Sequence, residues 1–123
     1  MITLVFCLRR LPHLSREEFQ RYWREEHGPL VRASAPALRI ARYVQVHAVD
    51  TPLAQALRRQ RGGPEAYDGV AELWWDSAED LAAGGATPEG RAAGCRLLED
   101  EKRFIDLARS TVTLGAEHVV VER

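Results

Sequence analysis

The chain has 123 residues, with 17 basic and 18 acidic side chains for a formal net charge of -1, and 46% of its residues are hydrophobic. A chain of this size buries about two thirds of the surface that its unfolded form exposes, enough for one core and too little for two, so residues 1–123 are expected to form a single domain. The balance excludes intrinsic disorder, and the lack of a positive excess leaves no electrostatic footprint for nucleic acid or an anionic membrane.

Residues 2–9 are rich in β-formers, with Ile2, Leu4, Phe6 and Leu8 on one face and Thr3, Val5 and Cys7 on the other. A strand apolar on both sides is expected to be covered on both sides. Ser15 and Glu18 form a capping-box pattern, in which a hydroxyl and a carboxylate three residues on satisfy the free N–H groups of a helix start. Phe19, Tyr22 and Trp23 then recur at helical spacing. Gly28-Pro29 is expected to interrupt this helix, because the residue before a proline avoids helical geometry. The pattern resumes at Leu30 and Val31 and stops near Pro36.

Residues 39–49 read as the second strand, with Ile40, Val44 and Val46 on one face and Tyr43, Gln45 and His47 on the other. Thr51-Pro52 starts a short helix through Leu57, and Arg61-Gly62-Gly63-Pro64 ends it as a loop. Asp68-Gly69 leads into a third strand over 70–75, on which Val70, Glu72 and Trp74 share a face. Ser77 caps a brief helix that Gly84-Gly85 should stop, and Thr87-Pro88-Glu89 opens a longer one that ends near Phe104-Ile105. His118–Val121 is expected as the last strand, with 111–114 as a shorter possibility.

The order β-α-β-β-α-β is that of a ferredoxin-like α+β fold, a four-stranded antiparallel sheet with its helices on one face. The second face would then expose Val5, Tyr43, Val70 and Trp74, an aromatic surface that needs a lid. A second copy of the sheet is the simplest lid, so a homodimer closing an α+β barrel is expected. Cys7 and Cys95 are too few for a disulfide framework and too far apart for a CxxC pair, which fits a reduced cytoplasmic protein. No apolar run approaches the ~20 residues of a membrane span, and Met1–Leu8 lacks the basic leader and cleavage site of a signal peptide.

Chemistry can sit at few places. His27 lies beside the Gly28-Pro29 break and is either a general acid or base or a histidine that only caps helix carbonyls. Tyr43, Gln45 and His47 share one strand face and would line a cavity under the dimer lid, the valines opposite them facing the helices. Glu72 could orient His27 or His47, act as a base itself, or pair with an arginine of the partner. No HExxH, GxGxxG or P-loop pattern occurs, Ser15 and Ser77 read as helix caps, and Cys7 lies on an apolar strand. Neither a metal nor a cofactor is expected.

The blocks Phe19-x-x-Tyr22-Trp23-x-x-x-His27-Gly28-Pro29-Leu30-Val31, Tyr43-Val44-Gln45-x-His47 and Tyr67 to Ser77 resemble the EthD family. Thr87-Pro88-Glu89, Asp100-Glu101 with Phe104-Ile105-Asp106, and Glu117-His118-Val119-Val120 continue the likeness to the C-terminus. The resemblance implies a dimeric α+β barrel and a site in which His27 and Tyr43 line the pocket. It implies a small cofactor-free enzyme acting on a hydrophobic, oxygen-bearing organic molecule by isomerisation, dehydration or oxidation. In that reading His27 shuttles a proton, His47 is a second acid/base or an anchor, Tyr43 holds a substrate oxygen and Glu72 orients a histidine. Trp74, Gln45 and Trp23 contact the substrate. Residues 67–75 contain no cysteine, where some lactone isomerases of the family carry one, so lactone chemistry itself is not implied. A non-catalytic small-molecule-binding or accessory protein is the alternative that the same residues allow.

Overall fold

Four strands pair antiparallel in the order β2-β3-β1-β4, with β1 at Ile2–Leu8, β2 at Arg42–His47, β3 at Gly69–Trp75 and β4 at Thr111–Ala116. They belong to a computed structural model that describes residues 1–123. Helices α1 (Arg16–Tyr22), α2 (Gly28–Leu38), α4 (Ala78–Ala86) and α5 (Pro88–Glu101) complete the ferredoxin-like α+β plan. Helix α3 (Pro52–Arg61) is inserted between β2 and β3 and buries none of its residues. The core joins Leu8 and Ala71 of the sheet to Phe19, Trp23, Phe104 and Ile105. No helix is long and apolar enough to cross a membrane.

Local chemistry sets most element ends. Ser15 and Glu18 close the capping box at α1, each side chain bonding the other's backbone N–H. Thr51, Ser77 and Thr87 cap α3, α4 and α5 in the same way from their hydroxyls. Gly62, in the left-handed region at φ 61°, ends α3.

Three expectations need correction. First, the chain does not break at Gly28-Pro29. It passes from α1 to α2 through a π-helical turn, Trp23–His27, in which the Gly28 N–H reaches back five residues to the Trp23 carbonyl. Pro29 falls in the first turn of α2, where its missing N–H costs nothing, and the widened turn before it absorbs the ring.

Second, the last strand is Thr111–Ala116 and not His118–Val121. Ala116 pairs with Ile2, and the Glu117 N–H bonds the Met1 carbonyl, so the chain beyond has run past the end of β1. Val120 and Val121 are consequently 90% and 87% exposed. Third, β2 is turned over. Its register sets Tyr43 opposite Leu73 and Gln45 opposite Ala71, and Ala71 belongs to the core beneath the helices. Tyr43, Gln45 and His47 therefore face the helices, and Val44 and Val46 lie on the open face with Val5, Val70, Glu72 and Trp74. Partners decide this orientation: the Trp23 carbonyl accepts from Gln45 Nε2 at 2.9 Å, and the Trp23 ring stacks on His47 at 4.5 Å.

Candidate functional site

The π-helical turn carries His27 into the protein, where it is only 5% exposed and its ring lies 5.0 Å from that of Phe104. Nδ1 stands 2.8 Å from Asp100 Oδ2, near the end of α5. The Tyr22 hydroxyl donates to Asp100 Oδ1 at 2.6 Å. An ionised carboxylate only accepts, so the shared proton belongs to Nδ1. Burial holds the His27 imidazole below its ordinary value, against the opposing pull of Asp100. The result at neutral pH is an uncharged imidazole with Nε2 left as a lone-pair base. A histidine–carboxylate dyad of this kind is the usual way to fix a tautomer for proton transfer.

Glu101, the next residue, is half-buried, and its carboxyl makes no hydrogen bond. Burial, followed by the charge of Asp100, raises it to about 7. Its charge in turn acts on Tyr43, whose hydroxyl is raised above its ordinary value chiefly by burial. Glu101 can therefore hold or release a proton near neutral pH, next to a phenol that stays protonated.

Along β2 runs a second polar line. Gln45 Nε2 donates both to the Trp23 carbonyl and to the Tyr43 hydroxyl, each at 2.9 Å. The amide oxygen must then accept, so His47 donates through Nε2–H at 2.8 Å. Because the Tyr43 hydroxyl accepts from Gln45, its own proton remains available to another oxygen. Burial, then the charge of Arg24, lowers His47 below its ordinary value. Gly28 permits this approach of helix to strand, since a Cβ there would stand 3.3 Å from Gln45 Nε2.

Tyr43 and Gln45 also line a cleft of about 480 Å3 beneath α2, next to the turn that bears His27. Pro29, Val31 and Ile40 supply apolar wall, and Arg24, Arg32 and Arg42 its charges. No group of three or more His, Cys, Asp or Glu side chains is placed to hold a metal ion.

The structure thus brings Trp23, Tyr43, Gln45 and His47 into contact on the helix side of the sheet, with His27 on the π-helical turn held instead against Asp100 and Phe104. It separates Glu72 and Trp74 from them. Both lie on the open face, where Glu72 pairs with Val5 and Val44 across the strands. A carboxylate there cannot orient His27 or His47 through the sheet, and Asp100 takes that place. Trp74 is covered by Arg42, 4.5 Å above its ring, and its indole N–H donates to the Glu117 carboxylate. Trp23 is fully buried in the core, so it supports the site through its carbonyl and ring and offers no surface to a substrate. Asp100, Glu101 and Tyr22 were not anticipated as site residues. The buried stripe of α5, Gly90, Ala93 and Leu97, points to the two acids, because its next helical step falls on Asp100 and Glu101.

The EthD domain family model matches residues 11–108 of the sequence. The chain belongs to the EthD family. Among solved structures it is similar to an EthD (ethyl tert-butyl ether d) family protein from Bacillus halodurans, with 21% identity and a TM-score of 0.62, covering 96% of this chain and 100% of that one. A dimeric, ferredoxin-like protein of unknown function from Bacteroides fragilis gives 10% identity and a TM-score of 0.58 over 93% of each chain. A candidate antibiotic biosynthesis monooxygenase from Deinococcus radiodurans gives 11% identity and 0.55, over 100% of this chain and 98% of that one. At these identities the likeness shows the ferredoxin-like fold. No curated protein sequence gives a significant match.

Proposed function

We propose that this EthD-family protein is a small enzyme that needs no cofactor and moves a proton on a hydrophobic, oxygen-bearing organic molecule. The observation that carries the reading is the buried His27–Asp100 dyad, 2.8 Å from Nδ1 to Oδ2, with Nε2 free. Nε2 of His27 takes a proton from an activated C–H or O–H of the substrate. Tyr43 donates its hydroxyl proton to the oxygen on which negative charge develops. Glu101, poised near neutral pH, returns a proton or accepts one at a second position. Isomerisation and dehydration need only these transfers. Oxidation would add oxygen as co-substrate after the same first step, and the Deinococcus structure described as a candidate monooxygenase is compatible with it.

The working form in this reading is a cytoplasmic homodimer. The open face carries Val5, Val44, Val46 and Val70 beside Trp74, an apolar surface that a second copy would cover. Similar folds described as dimeric agree with it, and the free thiols Cys7 and Cys95 fit a reducing compartment.

The test begins with a thermal-shift screen of phenolic acids, muconolactones and hydroxylated naphthoquinones, followed by turnover assays on those that bind. A ligand at about 100 times its dissociation constant adds ~2.7 kcal/mol to the folded state, which the screen detects. His27→Gln and Asp100→Asn should each lose most turnover, a ~10²–10⁴-fold effect for a placed acid or base. Ligand binding that ignores His27 and never leads to turnover would sink the enzyme reading and assign a carrier role.

A further inference from the structure

The cleft beneath α2, lined by Tyr43 and Gln45, also constrains what the ligand carries. Three of its 11 lining residues are charged; all three are arginines, and no acid lines it, in a chain whose formal net charge is -1. Arg42 is engaged elsewhere, stacked over Trp74. Arg24 and Arg32 are free. Arg24 approaches only the exposed Glu25, at 3.9 Å, and Arg32 makes no ion pair at all. Arg24 lines the cleft together with Tyr43 and Gln45 of β2. The same cleft is lined by the apolar residues Pro29, Val31, Ala35 and Ile40.

We infer that this cleft binds an organic carboxylate, with Arg24 and Arg32 on the carboxylate, the apolar body against Val31 and Ile40, and Tyr43 on a second oxygen. A guanidinium offers paired N–H donors that match the two oxygens of a carboxylate. A small inorganic anion would leave the apolar walls unused, whereas an aromatic or alicyclic acid fills both parts. At about 480 Å3 the space lies within the ~300–1,000 Å3 typical of small-molecule sites. The binding itself stands on the cleft alone; that the acid is also the substrate rests on the proton-transfer reading above.

Titration calorimetry on the full-length protein tests this with 1-hydroxy-2-naphthoate, its methyl ester and inorganic phosphate. The acid should bind about tenfold more tightly than the ester, from two exposed charge pairs, and the gap should narrow as salt is added. Phosphate should compete only weakly. Arg24→Gln/Arg32→Gln, which removes two side chains with no structural partner of note, should bring acid and ester to near parity. Equal binding of acid and ester to the wild type, a preference that survives the double variant, or no binding of the acid at all would each overturn the inference. His27→Gln separates the two readings. Arginine-dependent binding with no turnover by the wild type keeps the cleft and removes the proton transfer. His27-dependent turnover of the ester, with acid and ester bound equally, does the reverse.

Discussion

Glu101→Gln should make the protein more stable at neutral pH and leave it unchanged in acid. In the folded protein this carboxyl is raised from its ordinary value of 4.5 to about 7, first by burial and then by Asp100. Between those values the folded state keeps a proton that the unfolded chain has released, so stability falls as pH rises through the window. The full gap corresponds to about 3 kcal/mol. Solvent screening of a carboxyl that is still partly exposed lowers this to about 2 kcal/mol. Glutamine has nearly the same shape as the protonated acid and never ionises, so it escapes the loss. Urea denaturation of both proteins at intervals from pH 4.5 to 8 gives the difference directly. The histidines shifted by burial contribute equally to both curves and cancel. Curves that coincide below the window and separate above it, with the variant the more stable, are expected. Parallel curves across the range would refute the assignment of Glu101 as a buried group titrating near neutrality.

Gly69→Ala should destabilise by about 1–3 kcal/mol, because a Cβ there would overlap the Trp23 ring; thermal unfolding measures it. Asp68→Asn should cost about 3 kcal/mol at pH 7, since it removes the buried charge that faces the Arg10 and Arg16 guanidinium groups. It also turns one of the two oxygens that accept from them and from the Arg10 backbone N–H into an NH2 donor. Burial alone would raise the Asp68 carboxyl, but those bonds outweigh it and hold it below 3.8, so the cost is expected to shrink as pH falls through and below that value. Val44→Glu/Val46→Glu, on the open face, should convert a dimer to a monomer in light scattering with the helical circular dichroism intact. A dimer that persists in this variant would move the interface elsewhere.

What the sequence made legible was mostly local. Ser15 with Glu18, Ser77, and Thr87 with Pro88 mark helix starts because a cap is completed within four residues. The element order, and with it the ferredoxin-like plan, follows from those punctuation marks and from strand periodicity. The facing of β2 was not legible. Alternation shows that Tyr43, Gln45 and His47 share a face, but the helix backbone at Trp23 decides which face, and no pattern within the strand records that. The π-helical turn escaped for a related reason. Gly28-Pro29 signals a break, whereas one widened turn keeps the helix continuous and points His27 inward. Asp100 was overlooked because its partner lies 73 residues away, and Glu72 looked suitable only while the strand faces were assigned by hydrophobicity.

Nitrogen-15 NMR of the His27 ring, in the wild type and in Asp100→Asn, tests the dyad most directly. At pH 7 the wild type should show a neutral imidazole protonated at Nδ1, with Nε2 as the free base. Its titration should lie below 6.5, and lower again in Asp100→Asn, where burial acts without the carboxylate. An Nε2-protonated ring, or an imidazolium at pH 7, would contradict the account, because neither leaves a lone pair on the nitrogen that must take the proton.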